Sequence, residues 1–121
     1  KTPKLMSPKS RSSTITAKLQ SHASVFAALG DQTRLALVAK LAAGQPHSIS
    51  ELTKRSNLSR QAITKHLRVL ESVGMVHSAH KGRESLFELD PRPIAGLKEY
   101  LDLVAAHWDQ ALSRLKSFVE T

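Results

Sequence analysis

Apolar side chains recur along this chain at two spacings, and the change from one to the other marks its elements. From residue 15 to residue 73 they cluster with the helical period, as in helices that bury one face. Residues 15–29 carry Leu19, Val25, Phe26 and Leu29 on one face, weakened by Ser21 and Ser24, and Gly30 ends the run. Asp31 is placed to cap a second helix, DQTRLALVAKLAAG, whose stripe is Leu35, Val38, Leu41 and Ala42 and whose stop is Gly44 with Pro46. Ser48 and Glu51 have capping-box spacing, which predicts a short third helix over 48–56 with Ile49 and Leu52 turned inward. Ser59 is the N-cap of a fourth helix. Leu58 is set to pack on Ile63 as a hydrophobic staple, and Ile63, Leu67, Leu70 and Val73 form its core-facing stripe up to the stop at Gly74. The period then becomes two. Val76–His80 and Ser85–Leu89 read as strands joined by Lys81, Gly82, Arg83 and Glu84. From Pro93 onward, Ile94, Leu97, Leu101, Val104, Trp108, Ala111, Leu115 and Phe118 alternate steps of three and four, a heptad seam widened by Tyr100, Leu112 and Val119.

These elements define a mainly α fold with a small two-stranded β wing. The third and fourth helices, joined by the tight Ser56-Asn57-Leu58 turn, form a helix-turn-helix, and the hairpin after them sits where a wing belongs. Three regions follow: a disordered basic tail over 1–14, rich in Ser, Pro and Lys; a winged helix-turn-helix body over 15–92; and a long C-terminal helix over 93–121. One helix cannot bury so wide a seam alone, so the expected assembly is a homodimer through terminal helices. Its candidate interface residues are Phe26, Leu97, Tyr100, Leu101, Val104, Trp108, Leu112 and Leu115.

The polar face of the fourth helix gives the fold a purpose. Arg60, Gln61, Thr64, Lys65 and Arg68 make one continuous stripe of cations and amide or hydroxyl donors with no acid in it. Arg and Lys pair with guanine, Gln with adenine, and Thr meets a thymine methyl or a phosphate. Ser59 at the start of the helix joins these candidates, and Lys81 and Arg83 at the hairpin tip are positioned for a phosphate or the minor groove.

Charge agrees with this assignment. The 121 residues carry a formal net charge of +8 and a pI of about 10.2, which points to an anionic partner. Lys54, Arg55, Arg60, Lys65, Arg68, Lys81 and Arg83 face only Glu71 between residues 54 and 83, while Lys1, Lys4, Lys9, Arg11 and Lys18 form a separate basic group near the start. The absence of cysteine excludes disulfides, thiolate metal sites and a cysteine nucleophile. No apolar run is long enough to span a membrane and the first residues lack an apolar signal core, so the expected location is the cytoplasm. There is no Gly-rich phosphate loop, and the acids are scattered singly, which argues against an enzyme and gives no catalytic residues.

In order and spacing, ALGDQTRLALVAKLAAG, SISELTKRSNLSRQAITKHLRVLESVGMV and HKGRESLFELDP resemble the ArsR-type winged-helix repressors, over roughly residues 22–91. The resemblance implies a homodimer of four helices, a two-stranded wing and a fifth helix, with helix 59–73 in the major groove of a promoter and the terminal helices at the dimer interface. Many members of that family sense metal through a Cys-x-Cys-Asp-Leu pattern opening the third helix. This chain has Ser48-Ile49-Ser50-Glu51-Leu52 there, and hydroxyls are poor ligands for soft metals. Asp102, His107 and Asp109 lie on the last helix where others bind zinc, but Asp102 and His107 are five apart and share no face well. The resemblance is therefore to the metal-independent branch, with no cofactor and no metal ligands.

The histidines fit that view. His66 reads as a packing residue of the fourth helix, His77 and His80 point to opposite faces of a strand, and His22 and His47 read as surface residues. The expected function is a dimeric repressor that binds double-stranded DNA at a palindromic operator. The alternatives are a metal- or small-molecule-sensing repressor on the same scaffold, and a basic helical module that binds RNA or protein. A small-molecule effector is compatible with the scaffold but not indicated by any residue.

Overall fold

The computed structural model describes residues 8–54 and 56–120, and for residues 8–13 the course of the backbone alone. Among these residues the order is α1 (Pro8–Leu29), α2 (Gln32–Leu41), β1 (His47–Ser48), α3 (Ile49–Thr53), α4 (Arg60–Ser72), β2 (Val76–Lys81), β3 (Glu84–Leu89) and α5 (Arg92–Glu120). The strands form one antiparallel sheet in the order β1-β3-β2.

The caps form as their residue types demand. Asp31 accepts the Arg34 N–H at 3.0 Å. Ser48 and Glu51 exchange both bonds of a capping box, and Ser59 accepts the Ala62 N–H at 3.1 Å. The end of α4 closes as a Schellman motif. Gly74 takes φ 78°, its N–H reaches the Glu71 carbonyl, and the Met75 N–H reaches back to Leu70, each at 3.0 Å. A side chain at Gly74 would resist that backbone conformation.

One core joins all the helices. Val25 and Ala28 of α1, Leu37, Val38 and Leu41 of α2, Leu52 of α3, and Ile63, Leu67 and Leu70 of α4 pack with Met75, Val76, Phe87 and Leu97. Leu58 and Ile49 lie partly buried against this cluster, as the staple and inward-facing residues require.

Five sequence expectations are corrected by the fold. The helix expected over 15–29 runs back to Pro8, so residues 8–14 are helical rather than a disordered tail. Pro is well suited to the first helical position, and no Gly or Pro follows to break the run. Ile15 and Leu19 also line a groove with Tyr100 and Leu103 of α5, an arrangement that composition cannot report. The rest of the expected tail, residues 1–7, lies outside the described residues, as does Arg55. On α2, Leu35 is half exposed and Ala42 exposed, while Leu37 is buried. Leu37, Val38 and Leu41 make as good a stripe as the expected one, and periodicity alone cannot choose between two stripes offset by so little. The third helix ends at Thr53 rather than 56, and the pairing of His47 with Phe87 and Ser48 with Leu86 adds a third strand to the expected hairpin.

Finally, Leu97 belongs to this chain's own core, not to a surface open to a partner. Further along α5 the seam surfaces: Leu101, Trp108, Leu112 and Leu115 are each about half or more exposed.

Candidate nucleic-acid interface

The buried stripe of α4 decides which of its side chains face outward. With Ile63, Leu67 and Leu70 in the core, Arg60, Gln61, Lys65 and Arg68 are exposed and Thr64 is half-buried. The basic stripe expected from the sequence is therefore one accessible surface of a rigid helix.

Its members are not equally available. The Ser59 hydroxyl is occupied as the helix cap. Thr64 Oγ1 donates to the Arg60 carbonyl at 2.7 Å, which ties its hydroxyl to the helix. Arg60 donates to Ser50 Oγ at 2.7 Å, across from α4 to α3. Arg68 pairs with Glu71 at 3.3 Å, and the other oxygen of Glu71 accepts from Ser78 on β2. That exposed ion pair contributes little stability, but it sets an acid beside the last cation of the stripe.

The hairpin turns through Gly82 and Arg83, with Lys81 facing Glu84 across the strands and Gly82 at φ 67°. Lys81 and Arg83 are both exposed at the tip. Where the tip approaches the start of α3 and α4, Arg60, Arg83, Ser50, Ser85 and Glu84 line a cleft of about 190 Å³.

Two polar clusters that the sequence reading missed hold this surface in place. Arg34 sends Nε to the Ala28 carbonyl at 2.5 Å and a guanidinium N–H to His66 Nδ1 at 3.2 Å. Arginine can only donate, so His66 Nδ1 is the acceptor in this contact. The end of α1, the start of α2 and the middle of α4 are thereby tied together. The Arg34 N–H, and then the neighbouring charges, keep the Asp31 carboxyl below its ordinary pKa.

At the base of the hairpin, buried Asp90 accepts from the Arg92 side chain at 2.6 Å and from His77 Nε2 at 2.8 Å. The Arg92 side chain first, then its backbone N–H and His77, hold the Asp90 carboxyl well below the usual carboxylate range. This node ties β2, at the base of the wing, to the first residue of α5.

Two histidines expected at the surface are half-buried. His22 packs on Tyr100 with ring centroids 5.4 Å apart. His47 enters the sheet, with Nδ1 buried and unpaired. They are drawn in by packing on α5 and pairing with β3, contacts that the sequence around each histidine does not reveal. Tyr100 also meets Phe26 edge-on at 6.3 Å. Of the expected interface residues, Tyr100 and Val104 are half-buried and Phe26 is exposed to 38%.

The donor set for a metal is poor. Ser48 and Ser50 are occupied by Glu51 and Arg60, Asp102 pairs with Lys98 at 3.3 Å, and His77 and His80 do not converge. Among the described residues, no three His, Cys, Asp or Glu side chains come together as a metal site. Nor is any described helix long and apolar enough to cross a membrane.

A helix-turn-helix domain family matches residues 29–79. Over 94 residues the chain is 34% identical to an HTH-type transcriptional regulator of Mycobacterium tuberculosis, covering 78% of this chain and 84% of that protein. Among solved structures it is similar to an ArsR-like transcriptional regulator from a Rhodococcus species, with 35% identity and a TM-score of 0.73 over 84% of this chain and 95% of that one. It also shares the fold of the homodimeric winged helix-turn-helix DNA-binding domain of a possible ArsR-family regulator from Mycobacterium bovis, with 23% identity and a TM-score of 0.61 over 75% of this chain and 83% of that one.

Proposed function

This chain belongs to the ArsR family of helix-turn-helix transcriptional regulators, and from that premise we propose that it is a homodimeric repressor that binds a palindromic operator without metal. It acts by binding rather than catalysis, in the cytoplasm where the chromosome is. In this reading α4 enters the major groove with Gln61 and Lys65 against base edges, and the wing tip lies on the backbone or in the minor groove.

The observation that carries the reading is the two-sidedness of α4. Its apolar side is locked into the core, and its opposite side offers cations and donors to solvent. Dimerisation is supported by the exposed apolar face of α5 around Leu101, Trp108, Leu112 and Leu115, and the Mycobacterium bovis domain of the same fold is itself a homodimer. Two-fold symmetry would give each protomer one half-site. Metal independence is supported by the donor chemistry, since the two hydroxyls at the family's thiolate positions are already hydrogen-bonded within the fold.

Selection of bound duplexes from a random pool, with and without EDTA, tests the whole reading. It is expected to enrich one palindrome with half-sites about one helical turn apart, unchanged by the chelator. A palindrome recovered only in one of the two conditions would make the protein a metal sensor. Recovery of no motif, with binding that vanishes as salt rises, would reduce the basic face to nonspecific electrostatics.

A further inference from the structure

The cations of the stripe divide into two groups by what they touch. Lys65 is exposed on the outer face of α4. Arg60 instead leans off the helix: one guanidinium N–H is held by Ser50 Oγ at 2.7 Å, and the side chain joins Arg83, Ser85 and Glu84 around the cleft between the wing and the helix-turn-helix. A bidentate grip on guanine needs both arms of the guanidinium turned to the base edge. An arginine tethered sideways to another helix is poorly placed for that.

The same tether suits it to a different ligand. Arg60 and Arg83 line one small polar cleft from two separate elements, and among the described residues Glu84 is the only acid that lines it. Glu84 already faces Lys81 across the hairpin. An anion with several acceptor oxygens would pair with both arginines and accept from the hydroxyls of Ser50 and Ser85 as well. Arginine pairs with phosphate in this manner more readily than any other side chain.

We propose that Arg60 and Arg83, with Ser50 holding Arg60 in place, seat a single DNA backbone phosphate between the wing and α4, so that Arg60 positions the reading helix rather than reading a base. The assignment rests on the DNA-binding reading above. It makes the wing and the helix-turn-helix one clamp on the same strand, and leaves base discrimination to Gln61 and Lys65. Ser50 is a positioning residue in this scheme, acting through Arg60.

A scan of the selected operator with single methylphosphonate linkages, which remove one phosphate charge at a time, tests the proposal against wild-type protein and the Arg60→Ala, Arg83→Ala, Ser50→Ala and Ser50→Thr variants. One linkage in each half-site is expected to weaken wild-type binding by about tenfold, in keeping with a lost charge-assisted contact. That penalty should vanish in both arginine variants, shrink in Ser50→Ala and persist in Ser50→Thr. Arg60→Ala should weaken every single-base operator variant alike and make the salt dependence shallower by about one unit of slope. Relaxed preference at one base pair in Arg60→Ala, with the salt slope unchanged, would overturn the assignment. So would penalties at two different linkages erased by the two arginine variants. All four substitutions are at or near the surface, and circular dichroism checks that each variant is folded. Failure of the wild-type protein to prefer any duplex would instead refute the functional reading on which the assignment stands.

Discussion

Replacing Leu101 and Trp108 together with serine is expected to separate the protomers without unfolding them. Within one chain Leu101 is 49% and Trp108 64% exposed, so neither contributes fully to the fold of the monomer. Complete burial of a large apolar side chain is worth about 1.5–3 kcal/mol. Covering what each still exposes is then worth about 1 kcal/mol for Leu101 and about 1.5 kcal/mol for Trp108. A two-fold interface contains each substitution twice, which brings the loss to about 5 kcal/mol, or between roughly three and four decades in the dimer dissociation constant. The entropy lost on association is common to both proteins and cancels in the difference. Sedimentation equilibrium of wild type and variant at micromolar concentration reads this directly, with circular dichroism as the test of folding. A variant that remains helical, sediments as a monomer and binds the operator weakly is the expected result. A folded variant that still sediments as a dimer would move the interface off this face of α5.

Other expectations follow from single contacts. Gln61→Ala should relax the preference at one base pair at a cost of about 1–3 kcal/mol, read by binding to a panel of single-base operator variants; a loss shared equally by all variants would make Gln61 a backbone contact. Ser59→Ala removes the cap of α4 and should cost about 1 kcal/mol of stability in denaturant titration, and no loss would mean that the Ala62 N–H finds water as readily. The Asp90 carboxyl is held below its ordinary value of 3.8. A carboxyl depressed in the fold stabilises it above the unfolded pKa, and that contribution is lost as pH falls through this value toward the folded one. Asp90→Asn should therefore lower Tm at neutral pH and flatten the decline of Tm below about pH 4; an acid limb as steep as wild type would mean that the Arg92 and His77 contacts do not stabilise the fold.

What could be anticipated from the sequence was what local chemistry determines. Asp31, Ser48 and Ser59 announced three helix starts because a cap needs only a side-chain oxygen and the next turn of backbone. The stripe of α4 was legible because its apolar and polar residues segregate completely around one helix. Lys81 to Glu84 gave the hairpin its turn. What stayed hidden depends on residues far apart in the chain. The two-residue strand β1 has no period of its own and exists because β3 offers it an edge. The first turns of α1 look like a polar tail until Ile15 and Leu19 meet α5. Arg34 and His66 lie 32 positions apart, and nothing at either one names the other. Leu97 fitted the dimer seam by spacing, yet the fold spends it on the monomer core. Among the candidate DNA contacts, the sequence named the residue types, whereas only the tether from Ser50 separates Arg60 from its neighbours on the helix.

If two copies of α4 read the major groove of one operator, methylation interference on the selected duplex will show it. Methyl groups on guanine N7 project into the major groove and those on adenine N3 into the minor groove. N7 interference is expected in two half-sites whose centres lie about one helical turn, ~34 Å, apart on the same face of the duplex, with any N3 interference confined to positions beside the wings. Interference in a single half-site, or from adenine N3 alone, would contradict that expectation.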